Sequence, residues 1–198
     1  QATPTQVPGL TNVAEVSVGS SHTCARLTNG TVFCWGYNFF GQLGDNSVTD
    51  RSSPVQVMGL ANATQLSLGA NHSCAATATG RVRCWGRNIE YELGTGVTTN
   101  MYTPQDVTNA VGSTLLMPVS IDNLTRVDCR LAPSCFATRA NGEYFSWGYA
   151  LTTRGTQRTT VTNLGVNDVA GDARATCSVV GTDMFCSIGT GTFEWGQG

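Results

Sequence analysis

The feature that most restricts what this chain can become is an internal repeat. Gly19–Gly44, GSSHTCARLTNGTVFCWGYNFFGQLG, returns as Gly69–Gly94, GANHSCAATATGRVRCWGRNIEYELG. His22 falls on His72, Cys24 on Cys74, Gly30 on Gly80, Cys34 on Cys84, Trp35-Gly36 on Trp85-Gly86, and Leu43-Gly44 on Leu93-Gly94. Self-similarity at about fifty residues, filled with short alternations of apolar and polar residues, belongs to repeat arrays and propellers. One such unit cannot bury its apolar face alone, so neighbours must stack. Two weaker units extend the pattern, and the 198 residues read as a single domain of approximate repeats 1–50, 51–101, 102–158 and 159–198.

The strands inside a repeat follow from period-2 alternation. Val13 to Val18 sets Val13, Glu15 and Ser17 against Ala14, Val16 and Val18, and Leu66-Ser67-Leu68 repeats it. Strands near 22–27 and 31–36 flank Thr28-Asn29-Gly30, with Gly30 suited to the left-handed position that closes a short hairpin loop. That register puts Cys24 opposite Cys34 and, across Ala78-Thr79-Gly80, Cys74 opposite Cys84. Both pairs are expected to form disulfides within their hairpins. A thiolate metal site is the alternative, but zinc usually takes paired C-x-x-C ligands, which are absent, and no metal is expected.

The third repeat is degenerate. Ala132-Pro133-Ser134-Cys135 aligns with Ser21-His22-Thr23-Cys24, and Phe145-Ser146-Trp147-Gly148 with Phe33-Cys34-Trp35-Gly36, with one residue inserted. Ser146 then stands where a cysteine partner is due, and Cys129 occupies the place of Val18 and Leu68. The economical pairing is Cys129 with Cys135. In the fourth repeat Cys177 and Cys186 flank Gly181-Thr182, a two-residue turn with glycine first, and pair in their turn. Eight cysteines allow 105 connectivities, so this set is an inference from register.

Charge narrows the partners. The net charge is −2, lysine is absent, and the eleven arginines are scattered singly, so no basic face for nucleic acid or anionic lipid is present. An even set of cysteines at repeated spacings, with Asn-x-Ser/Thr triplets at Asn29, Asn62, Asn71 and Asn123, points to a secreted glycoprotein. No stretch approaches the ~18 apolar residues of a membrane span. The start at Gln1 reads as a processed chain, and residues 1–10 echo Ser52–Leu60 as the tail of a repeat.

The motif G-x-x-H-[ST]-C-A-x-x-x-x-G-x-V-x-C-W-G-x-N-x-x-x-[QE]-L-G resembles the repeat of the RCC1 family (regulator of chromosome condensation), in the cysteine-bearing form of secreted and surface proteins. The resemblance is strong in the first two repeats and weaker in the others. It implies an all-β fold, a β-propeller in which each repeat gives one four-stranded blade. Such propellers usually have about seven blades, whereas four here imply a small closed ring or a partial propeller. The resemblance also implies that His22 and His72 are buried structural residues, with Pro133 in that place in the third repeat.

Three functions could follow from that family. Nuclear exchange on a small GTPase fits poorly with a disulfide-bearing chain. Inhibition of a secreted β-lactamase is open, and an extracellular binding or assembly module asks least of the sequence. Phe39, Phe40, Ile89 and Tyr91, with Trp195 in the corresponding loop, are candidate contact residues; as loop aromatics and aliphatics they either form a binding patch or plug contacts between blades. No Ser-His-Asp pattern, phosphate-cradling loop or paired-carboxylate motif recurs, so neither catalysis nor a cofactor is expected. The expectation is a secreted, self-associating structural or adhesive subunit, forming a homo-oligomeric ring or filament through its blade faces. The alternative is a monomeric module for a protein or glycan ligand, lectin-like or inhibitor-like.

Overall fold

The computed structural model describes residues 3–108, 124–129, 134–139 and 144–148, together with strand backbones at 166–171, 175–180, 183–188 and 191–192. Four antiparallel sheets follow one another along the chain. The first holds β1 (Val13–Val18), β2 (His22–Leu27), β3 (Val32–Gly36) and β4 (Arg51–Gln56), in that spatial order. The second repeats it with β5 (Ala63–Leu68), β6 (His72–Thr77), β7 (Val82–Gly86) and β8 (Met101–Asp106). Described strands of the third are β9 (Leu124–Asp128), β10 (Ser134–Arg139) and β11 (Tyr144–Gly148). The fourth is β12 (Val166–Gly171), β13 (Ala175–Val180), β14 (Asp183–Ile188) and β15 (Gly191–Thr192). Consecutive up-and-down sheets of this kind are the blades of a propeller. The blades are out of phase with the repeats as cut above, since residues 51–56 close the first sheet rather than open the second.

The cysteine hairpins have the expected register. Cys24 faces Cys34 and Cys74 faces Cys84, each at disulfide distance with a Cα–Cα separation of 4.1 Å. Gly30 and Gly80 take φ of +80° and +75°, the left-handed conformation that such a tight loop needs at its last residue. Cys129 and Cys135 also lie at disulfide distance, bridging the end of β9 to β10. Cys177 is opposite Cys186 in the β13–β14 pair, around residues 181–182; their side chains lie outside the described residues.

In the third repeat the alignment needs correction by one residue. Cys135 pairs with Trp147, as Thr23 pairs with Trp35 and Ser73 with Trp85. Cys135 therefore stands at the Thr23/Ser73 position, Phe136 at that of Cys24, and Ser134 at that of His22. The insertion lies in the loop before β10, since six residues separate Cys129 from Cys135 where five separate Leu68 from Ser73, and the histidine place falls to Ser134 rather than Pro133, which lies outside the described residues.

Burial is concentrated between blades. One apolar cluster joins Cys24, Val32, Cys34, Leu43 and Val57 of the first blade to Ala63, Leu66, Leu68, Ala75 and Trp85 of the second. A second joins Cys74, Val82, Cys84, Leu93 and Val107 to Leu124, Val127, Cys129, Ala137 and Trp147. The second blade thus presents a front and a rear, and each of these two junctions is a small hydrophobic core.

Candidate functional site

The inner strands β1, β5 and β9 show how one blade is seated on the next. Each carries an irregularity early in the strand, at Val13/Glu15, at Ala63/Gln65 and opposite Thr138/Arg139, where an extra residue re-aims the side chains that follow. As a result Glu15 and Ser17 reach the following blade. Glu15 Oε1 accepts from the Leu66 amide at 3.1 Å, and Ser17 Oγ from the Leu68 amide at 3.2 Å. The next junction repeats the contacts with Gln65 Oε1 on the Val127 amide at 2.9 Å and Ser67 Oγ on the Cys129 amide at 2.7 Å. These amides point along the free edge of each sheet, where a bare donor would otherwise need water.

A second set of polar contacts locks the other end of the junction. The Trp85 indole N–H and the Ser73 hydroxyl both donate to the Gln42 carbonyl at 2.9 Å. Since Ser73 donates there, it accepts from His22 Nε2 at 2.8 Å, which assigns the proton to Nε2 and leaves the buried Nδ1 without a partner. A second proton on the ring would be stranded in an apolar setting, and burial pulls the His22 pKa down to about 4. His72, at the next junction, is pulled down to about 3, chiefly by burial and further by the charges of His22 and Arg87. Both histidines are structural in this arrangement: they lie in separate junctions, each buried.

Loops β3–β4 and β7–β8 are held from inside by a buried asparagine. Asn38 Nδ2 donates to Asp45, to the hydroxyl and carbonyl of Ser47 and to the carbonyl of Thr49, while its Oδ1 takes the Leu43 amide at 2.9 Å. Asn88 does the same for Thr95, Val97, Thr99 and Leu93. Beside it, Gln42 becomes Glu92 in the second repeat; the buried carboxylate is met by Arg87, which replaces Tyr37. Burial raises the Glu92 pKa, against the lowering effect of backbone donors and Arg87.

Among the described residues two surfaces are open. The first is the front of the first blade, where Val13, Val16 and Val18 are 43%, 56% and 65% exposed. Their counterparts in the second blade, Ala63, Leu66 and Leu68, are at 3%, 4% and 1%. Trp35 is only half-buried on the same face, whereas Trp85 and Trp147 are fully covered. Among the described residues no side chain caps the Val16 and Val18 amides, the counterparts of those that Glu15 and Ser17 cap. An open groove of about 390 Å³ runs along the inner strands here, lined by Val16, Val18, Leu66 and Val127 between Glu15 and Ser67.

The second surface lies at the loops. Phe39 and Ile89, which hold the same place in successive repeats, are largely exposed, while Phe40 and Tyr91 are half-buried. Tyr37 stacks on Phe39 with centroids 6.4 Å apart, and Phe40 meets Phe39 edge-on at 5.1 Å. Gly41 lies so close to Tyr102 that a Cβ there would fall 2.3 Å from its ring, so the cluster touches both blades. Tyr91 takes the left-handed conformation (φ 61°) that Gly41 takes in the first repeat. Trp195 lies outside the described residues. Of the triplet asparagines, Asn29 and Asn62 are exposed, Asn71 is half-buried and Asn123 lies outside the described residues.

Comparison with known proteins agrees with this architecture. The regulator of chromosome condensation (RCC1) repeat matches residues 29–76, and a second description of the same repeat matches 13–42 and 63–91. The crystal structure of Kap60 bound to yeast RCC1 (Prp20) superposes with a TM-score of 0.69 at 18% identity, over 94% of this chain and 46% of that one. Human WBSCR16 gives 0.66 at 19% identity, over 88% and 47%. The computationally designed Ika4 protein gives 0.52 at 13% identity, over 92% and 95%. The chain spans about half the length of the two natural structures. RCC1 repeat matches within residues 13–91, and the same blade topology in the sheets that follow, support an RCC1-like repeat β-propeller.

Proposed function

We propose that this chain is a non-catalytic, secreted protein-binding module, and that the partner on its first blade is another copy of the same repeat array. The observation that carries the reading is the contrast between Val16 and Val18, more than half exposed, and Leu66 and Leu68, fully buried at the same register. An apolar face that is covered in the second blade and bare in the first has the composition of an interface. What covers Leu66 and Leu68 is the rear of a blade of this same repeat, so another copy brings the complementary shape and the oxygens for the Val16 and Val18 amides. Contacts of that kind run head-to-tail and close into rings or extend into filaments. Yeast RCC1 in its complex with Kap60 supports protein binding as the class of function. Cysteine pairs at disulfide distance and the exposed Asn29 and Asn62 support an oxidising, secretory compartment.

Light scattering after size exclusion tests this on the intact chain and on Val16→Asp/Val18→Asp. The wild type is expected well above its 20.9 kDa chain mass, and the double variant at that mass. A wild type that stays at the chain mass across a concentration series would sink the self-association. The exposed Tyr37–Phe39–Phe40 cluster favours a second reading, a protein or glycan ligand held at the loops. Under it, Phe39→Ala weakens capture of that ligand on a protein or glycan array and leaves the oligomeric mass unchanged.

A further inference from the structure

The junction between the second and third blades gathers sulfur in a way the first junction does not. His72 Nε2 and the Sγ atoms of Cys74, Cys129 and Cys135 lie within 4.8 Å of one another, all buried. These sulfurs belong to two disulfides, Cys74–Cys84 and Cys129–Cys135, formed in different blades. Across the blade boundary Cys74 Sγ and Cys135 Sγ are 3.9 Å apart, in van der Waals contact. His72 Nε2 sits 3.1 Å from Cys135 Sγ. At the first junction the same two places are held by Ser73 and Leu68, so Cys24–Cys34 has no sulfur neighbour there. A metal ion would need these groups as thiolates, which the oxidised pairs do not offer.

We infer that this junction is a thiol–disulfide exchange site, in which a freed Cys135 displaces Cys84 from Cys74 and leaves a Cys74–Cys135 bond that ties the two blades together. The step begins when a small dithiol reductant opens Cys129–Cys135; the reductant is oxidised to its own disulfide, and Cys129 and Cys135 each take up a proton. Cys135 then loses its proton, with His72 Nε2 beside it as hydrogen-bond partner, and its thiolate attacks Cys74 Sγ. The Cys74–Cys84 bond breaks, the Cys74–Cys135 bond forms, and Cys84 leaves as a thiolate that is protonated. The sum is a two-electron reduction that moves the free thiols to Cys84 and Cys129. Exchange between disulfides of the same kind needs little driving force, so contact between the two sulfurs decides whether it occurs. The consequence is mechanical: a staple inside the second blade becomes a staple between blades.

Cys129→Ser tests this without any need for a reductant to reach buried sulfur. The variant, refolded under oxidising conditions, is quenched in acid, alkylated and mapped by peptide mass. The label is expected to shift in part from Cys135 to Cys84, with a peptide pair joined through Cys74 and Cys135. Label on Cys135 alone, with Cys74–Cys84 intact, would overturn the inference. If the variant does not fold, the native chain treated with limiting dithiothreitol decides it. Singly reduced molecules must then include the Cys74–Cys135 species, and a population holding only the original pairings refutes the exchange. Cys24–Cys34 serves as the internal control and stays unexchanged in both experiments.

Discussion

Val18 and Leu68 occupy the same place in successive blades, one bare and one covered, and alanine at each measures what the neighbouring blade contributes. Leu68→Ala removes a side chain at 1% exposure from the first junction core, and such truncations cost about 2–5 kcal/mol. Val18→Ala, at 65% exposure, should cost under about 0.5 kcal/mol in the dissociated chain. In an assembled form the same substitution matters more. Two methyl groups at about 0.8 kcal/mol each, scaled to the exposed part, give about 1 kcal/mol, or roughly sixfold weaker self-association. Urea unfolding at submicromolar chain concentration reads the first pair of numbers, and sedimentation over a concentration series reads the last. If Val18→Ala destabilises the dilute chain as much as Leu68→Ala does, the front of the first blade is already covered and the reasoning fails.

Acidification is expected to destabilise the fold. His22 and His72 have folded pKa values depressed below the unfolded 6.5, so their contribution is complete above that value and is lost as pH falls towards about 4 and 3. Each histidine should remove about 1.4 kcal/mol per pH unit over that window, and His22→Gln should flatten the dependence of the urea midpoint between pH 7 and 5. Arg87→Ala leaves the Glu92 carboxylate buried without its cation and should cost about 3–5 kcal/mol. Adding Glu92→Gln, the residue type of the first repeat at Gln42, should recover most of that in thermal unfolding. Asn38→Ala should free the loop through residues 39–50, seen as faster protease cleavage there while the β2–β3 hairpin stays intact.

The blade hairpins were legible because cysteine fixes register: a pair that must face across a glycine-closed loop permits few alignments. The third repeat reads one residue out of place because Ser134-Cys135 matches Ser73-Cys74 letter for letter, while the register sets Cys135 opposite Trp147. Period-2 alternation gave β1 its apolar face. It could not show that Glu15, Ser17, Gln65 and Ser67 cap the next blade, since such residues on a strand look like ordinary solvent-facing positions. The irregularities that aim them leave no residue signature either: the places they occupy are filled by Ala14, Thr64 and Thr125. The exposure of Val16 and Val18 was hidden for a different reason. Whether a strand face is bare depends on what stands beside it, and one repeat read alone carries no such term.

Because the first and second blades each cap the edge amides of the one after it, stability across the described blades is passed along the chain in one direction. Leu66 and Leu68 owe their protection to Glu15 and Ser17, and Val127 and Cys129 owe theirs to Gln65 and Ser67. Amide exchange should therefore be graded, with Val16 and Val18 trading protons far sooner than their counterparts one and two blades on. Excising residues 13–56 would not yield a shorter version of the same protein. It would move the fraying boundary inward by one unit and hand to Leu66, Leu68 and Trp85 the exposure now borne by Val16, Val18 and Trp35.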